Sequence, residues 1–129
     1  MKNNLIALAL CLTAGLGTVS AHHSLAAEYD QKKSVTLTGT LTNIDWRNPH
    51  AFIFMDVKNA AGAVEKWQCE LGSPNAMNRA GFTKKSAAIG EEITLDGLLA
   101  KDGSKTCSTR VVKSKDGRTL FSQADRPVQ

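Results

Sequence analysis

Apolar and polar residues alternate with period two through Val35-Thr36-Leu37-Thr38-Gly39-Thr40-Leu41. That is the pattern of a strand with one buried face. Gly39 falls on the apolar side of the alternation, and a glycine inside a strand marks a bulge or a sharp bend. Ile44 and Trp46 extend the run until Arg47-Asn48-Pro49-His50 breaks it, because proline cannot donate to a ladder. Ala51–Val57 reads as a second strand, and 58–63 as a turn around Gly62. Val64–Leu71 reads as a third strand, with Trp67, Cys69 and Leu71 on one face. Ser73 is a good N-cap and Pro74 suits the first helical position. Together they predict a short helix over Asn75–Ala80, closed by Gly81. Its Ala76, Met77 and Ala80 are placed to plug the end of a barrel. A fourth strand follows at Glu92–Ala100, where Ile93, Leu95 and Gly97 share a face, and a fifth at Thr106–Lys113. Asp116-Gly117 makes a tight turn, from which Arg118–Phe121 returns.

Three strands, a helix and two strands is the order of the OB-fold, a five-stranded Greek-key barrel. The expected class is therefore mostly β: a small OB-like five-stranded barrel with one short helix between strands three and four. An open antiparallel sandwich of the same strands is the alternative.

The first residues have a different character. Lys2 precedes an uncharged, apolar run from Leu5 to Leu16, and Val19-Ser20-Ala21 places small or tolerated residues before a cleavage point. This is the form of a cleavable general secretory signal. The run is shorter than the ~20 residues that span a bilayer, so no transmembrane segment is expected in the mature chain. The expected organisation is a cleaved signal peptide at 1–21, an extended N-terminal arm at 22–33, the barrel at 34–121 and a flexible tail at 122–129. The expected location is periplasmic or secreted.

Length and charge narrow the function. A chain of 129 residues is one domain at most, too short for a doubly wound nucleotide enzyme or an eight-stranded α/β barrel. Sixteen Lys and Arg against twelve Asp and Glu leave a modest, scattered positive excess. With 5% aromatic residues there is no base-stacking platform, and no nucleic acid partner is expected. Trp46 and Trp67 read as core residues ahead of stacking platforms. No phosphate loop, nucleophile elbow or convergent carboxylate pair is present. The expectation is a binding protein ahead of an enzyme.

Cys69 and Cys107 remain once the signal, with Cys11, is removed. An oxidising compartment favours a disulfide between them, and the third and fifth strands of an OB-fold are neighbours. Two buried free thiols are the alternative.

All three histidines, His22, His23 and His50, fall early in the chain. Cleavage after Ala21 makes His22 the first residue, and its α-amine and imidazole can close a chelate ring on one metal ion. An α-amine with a pKa near 7.7–8.0 loses its proton readily. His50, in the loop after Pro49 at the lip of the barrel, is the candidate third nitrogen. His23, in second position, is an alternative ligand. Three nitrogens suit copper, which tops the divalent affinity series, with zinc as second choice. Glu28, Tyr29 and Asp30 are candidates to support the ligands from a second layer. The competing reading is a polar, solvated terminus and a turn histidine.

The runs His22-His23-Ser24-Leu25-Ala26-Ala27-Glu28-Tyr29-Asp30, Val35–Thr40, Asp45-Trp46-Arg47-Asn48-Pro49-His50-Ala51 and Glu70-Leu71-Gly72-Ser73-Pro74-Asn75 occur in one order. Together they resemble the domain-of-unknown-function 6152 family of small secreted bacterial proteins. The resemblance implies a small periplasmic β-rich domain and brings no activity with it. The chain departs from the family pattern at Cys69 and Cys107. A looser resemblance is to copper proteins whose mature chain begins with histidine. Only His22 and His50 match that arrangement, and those proteins use an immunoglobulin-like scaffold.

The leading expectation is a periplasmic copper-binding protein built on His22, His50 and His23, with a role in metal handling or sensing. The alternative is an OB-fold module for a small ligand or a periplasmic protein partner. Its binding face would be the second and third strands, with Arg47, Phe52, Phe54, Lys66 and Gln68 as candidates.

Overall fold

A computed structural model of the chain describes residues 25–123. The predicted signal peptide, His22, His23 and the end of the predicted tail lie outside the described residues. The described elements are α1 (Leu25–Glu28), β1 (Tyr29–Asp45), β2 (Phe52–Lys58), β3 (Val64–Glu70), α2 (Pro74–Arg79), β4 (Glu92–Ala100), β5 (Thr106–Ser114) and β6 (Thr119–Ser122). The strands form one sheet in the order β3-β2-β1-β4-β5-β6, and a further β3–β5 pairing closes five of them into a ring. That closing pair is parallel; the other pairings are antiparallel. The fold is the expected OB-like barrel, although the ring is not evenly round.

Closure demands a stagger. From Asp45 in β1 the pairing runs to Phe52, Glu70, Ser108 and Leu98 and returns to β1 at Ser34. The circuit comes back eleven residues (45 − 34) from its start. Such a shear tilts every strand against the barrel axis. One long strand must then serve both neighbours. Thr40–Asp45 pair with β2, and Tyr29–Thr40 pair with β4. Gly39 sits beside the crossover. A Cβ there would lie 2.2 Å from the Asp56 carbonyl oxygen, so the backbones of β1 and β2 approach as only glycine allows.

The alternation along the strands fills the interior. Leu37, Leu41, Ile44, Ile53, Met55, Trp67, Cys69, Ile93, Leu95, Cys107 and Val112 form one buried cluster. α2 closes an end much as its caps predicted. Ser73 Oγ accepts from the Ala76 N–H at 3.3 Å, Pro74 opens the helix, and Gly81 follows at positive φ. Met77 is fully buried, whereas Ala76 and Ala80 are half-buried. Phe82, just past the helix, contributes more. It packs against Trp46 and Phe121 with ring centroids 6.3 and 6.0 Å apart. Both tryptophans serve the core: Trp67 is buried in it and Trp46 packs against it.

The N-terminal arm differs from the extended arm predicted for 22–33. Its described part is a single helical turn followed by strand. Tyr29 already pairs with Ala100, and an irregularity separates that pairing from Ser34–Leu98. Lys101 holds the turn in place: its N–H donates to the Glu28 carbonyl at 2.9 Å and its Nζ to the Ala26 carbonyl at 2.5 Å. No helix among the described residues is long and apolar enough to cross a membrane.

Gly39→Ala tests the stagger. Overpacking at the Asp56 carbonyl is expected to cost about 1–3 kcal/mol in urea unfolding. An unchanged midpoint would show that β1 turns without this close approach.

Candidate functional site

The shear brings three distant segments to one carboxylate. Glu70 ends β3 and is only 7% exposed. The Tyr29 hydroxyl, at the start of β1, donates to its Oε2 at 2.5 Å. His50, in the loop between β1 and β2, places Nδ1 against its Oε1. Both carboxylate oxygens therefore have a polar partner. A buried carboxylate needs such partners, since an uncompensated charge out of water costs several kcal/mol.

Each partner is held by its surroundings. The residue after His50 is tied to the end of β3 in both directions. The Ala51 N–H donates to the Gly72 carbonyl at 3.0 Å, and the Leu71 N–H donates to the Ala51 carbonyl at 2.8 Å. Before His50, the Asn48–Pro49 peptide is cis. Tyr29 is buried, directly follows α1 and pairs with Ala100 at the end of β4. Burial pushes its phenol well above the ordinary value, and the hydrogen bond and negative charge of Glu70 push it further.

The imidazole is thereby oriented. With Nδ1–H directed at Glu70, the neutral ring carries its lone pair on Nε2. The His50 side chain is 46% exposed, so the ring is supported on one side and open on the other. A carboxylate behind a histidine in this way fixes the tautomer and the orientation of the ring.

Of the three residues expected to support the ligands, Tyr29 does contact this group. Glu28 is exposed in α1. Asp30 turns to its own neighbours, accepting from the Lys32 N–H at 2.9 Å and lying 4.0 Å from Lys33 Nζ. Glu70 was not among the sequence candidates. Its place on the polar side of the third strand reads as solvated, and the chain carries no local signal that Tyr29 will cover it. Among the described residues no group of three or more His, Cys, Asp or Glu side chains gathers as a metal would need.

The other candidate face lies on β2 and β3. Phe52 and Phe54 are half-buried and alternate with the core residues Ile53 and Met55. Phe54 pairs with Gln68, which is also half-buried. Lys66 Nζ meets Asp56 at 3.3 Å, and Arg47 meets Asp45 at 2.6 Å. The charged members of this face are thus paired locally. Cys69 and Cys107 are buried, are not bridged in this structure, and are register partners across the β3–β5 closure.

These observations define a small OB-like barrel whose rim presents a histidine backed by a buried, tyrosine-bound carboxylate. Residues 10–109 match a family of unknown function, DUF6152, and the chain belongs to that family. No curated protein and no solved structure matches it significantly.

Tyr29 is the single tyrosine of the chain, so its phenolate absorbance reads this site alone. An unfolded tyrosine ionises near pH 10, whereas Tyr29 in the fold holds its proton beyond that. Its stabilising contribution is complete below pH 10. It is lost as pH rises further, because only the unfolded chain then releases the proton. Phenolate absorbance should stay flat past pH 10 and appear together with unfolding. Ionisation near pH 10 in the folded protein would contradict the buried contact. At neutral pH, Tyr29→Phe should cost about 1.5–3 kcal/mol in denaturant unfolding, the range for a hydrogen bond to a charged group.

Proposed function

We propose that the protein binds copper at the rim of the barrel, with His50 Nε2 as one ligand. The α-amine and imidazole of His22 would supply the others once the signal is cleaved after Ala21. His23 is the alternative partner and zinc the second metal. The observation that carries this reading is the Glu70 carboxylate behind Nδ1 of His50. It orients a half-exposed ring so that Nε2, the nitrogen turned from the carboxylate, carries the lone pair a metal could take. The chain path supports it too. Tyr29 is bound to the same carboxylate, and His22 lies seven residues earlier. Four of those residues form α1 and rise only about 6 Å, and the three before it reach at most about 11 Å when extended, so the tether keeps His22 within about 17 Å of Tyr29. The role is metal handling or sensing in the periplasm, and copper would be carried as cargo or signal.

A second reading rests on Phe52 and Phe54. Both are on the outer side of β2 and not in the core, so the face that OB-folds use for ligands is present. A small apolar ligand or a periplasmic protein would bind there without metal.

Copper titration separates the two. The sample is the chain beginning at His22, compared with the same chain carrying one additional residue before it. Tight one-to-one binding is expected in the first and is expected to be lost in the second and in His50→Ala. Glu70→Gln is expected to weaken binding about 10–100-fold, the usual effect of removing the support behind a ligating histidine. Equal, weak binding in all four samples would overturn the copper assignment and leave the β2–β3 face as the working site.

A further inference from the structure

The barrel is closed by a short pairing, three residues from each strand. Gln68, Cys69 and Glu70 of β3 lie beside Thr106, Cys107 and Ser108 of β5. The central pair is cysteine opposite cysteine. Both side chains are turned into the core and have no exposed surface. As direct register partners with both side chains fully buried, the two cysteines put their thiols side by side. Adjacent strands run about 4.8 Å apart, within the Cα separation of about 4.4–6.8 Å that a disulfide spans. The neighbouring strand leaves room for the sulfurs. Gly97 of β4 pairs alongside β5, and a Cβ there would lie 3.1 Å from Cys107 Sγ and 2.6 Å from the Ser108 carbonyl oxygen. A side chain at 97 would occupy the space the sulfurs fill.

We propose that Cys69 and Cys107 form a disulfide that staples the β3–β5 closure, and that it forms while the chain folds. The oxidant is a disulfide, either a small-molecule one or that of an oxidoreductase. Two cysteine S–H groups lose two protons and two electrons and become one S–S bond. The oxidant's S–S bond takes them up and becomes two thiols. The inference is independent of copper binding.

The timing follows from burial. Exchange proceeds through a thiolate that reaches the oxidant. In the folded barrel neither sulfur is accessible. The hydrogen bond to Cys107, then burial, hold the Cys69 thiol far above its ordinary value. Once folded, the reduced pair is shielded from the reagent that would join it. The bond encloses a 39-residue loop, Cys69 to Cys107, that includes α2 and β4. It also lies directly behind the site, since Glu70 follows Cys69 in β3.

The test uses the full chain, unfolded and reduced, then refolded in a glutathione buffer as oxidising as a secretory compartment. Alkylation and tryptic mass mapping read the outcome. The expected product joins peptide Trp67–Arg79 to peptide Thr106–Arg110. Recovery of Cys69 and Cys107 separately alkylated, or joined to Cys11 or glutathione, would overturn the proposal. Protein folded in the reduced state and then moved to the same buffer is expected to keep both thiols while it stays folded. Oxidation there as fast as in the unfolded chain would overturn the timing. Comparing oxidised with reduced wild-type protein avoids core substitutions. The oxidised form is expected to have an unfolding equilibrium constant smaller by about 10²–10³-fold for a loop of this length. Equal constants would overturn the staple.

Discussion

A carboxylate withdrawn from water has to be compensated where it lies, and Glu70 meets that requirement with a tyrosine on one oxygen and a histidine on the other. The two partners come from opposite ends of β1: Tyr29 begins it, and His50 follows in the loop after its last residue. One buried charge thus ties together the N-terminal turn, the β1–β2 loop and the end of β3. Removing either partner would leave a carboxylate buried with half its bonds, which is why the group behaves as a unit. The same contact that stabilises the charge also orients the imidazole, so the structural and chemical roles of Glu70 are inseparable.

The barrel makes this meeting possible. The register circuit returns to β1 displaced along its length, so β1 wraps the ring and both its ends arrive near β3. The close approach at Gly39 lies where the strand passes from pairing with β2 to pairing with β4. The β3–β5 pairing then closes the ring beside Glu70, with the two cysteines at its centre. Shear, bend and closure converge on the neighbourhood of one residue.

Much of the scaffold was legible in the sequence. The fourth strand was bounded to the residue by alternation and flanking turns, and Ser73-Pro74 announced α2 through cap chemistry that is local. The glycine bend at 39 was legible because its apolar neighbours kept their period through it. What failed to show was non-local. Asp30 to Lys33 are polar and break the alternation, so β1 was expected to begin later than it does. Phe82 is one aromatic in a polar connector and has no period to reveal it. Glu70 sits on a polar strand face, where a carboxylate ordinarily meets water. Its burial depends on a tyrosine forty-one positions away. His50 was singled out as a ligand candidate, but the reason its ring is held was not visible from its neighbours. His22 and His23 lie outside the described residues.

The account stands on the orientation of one ring, and nitrogen NMR of the His50 imidazole reads it directly. In the neutral ring, long-range couplings to both nitrogens distinguish the N–H nitrogen from the one carrying the lone pair. The proton is predicted on Nδ1, toward Glu70, with Nε2 free, and that preference should weaken in Glu70→Ala. A folded protein with the proton on Nε2 would contradict the carboxylate-held histidine and, with it, the site built on it.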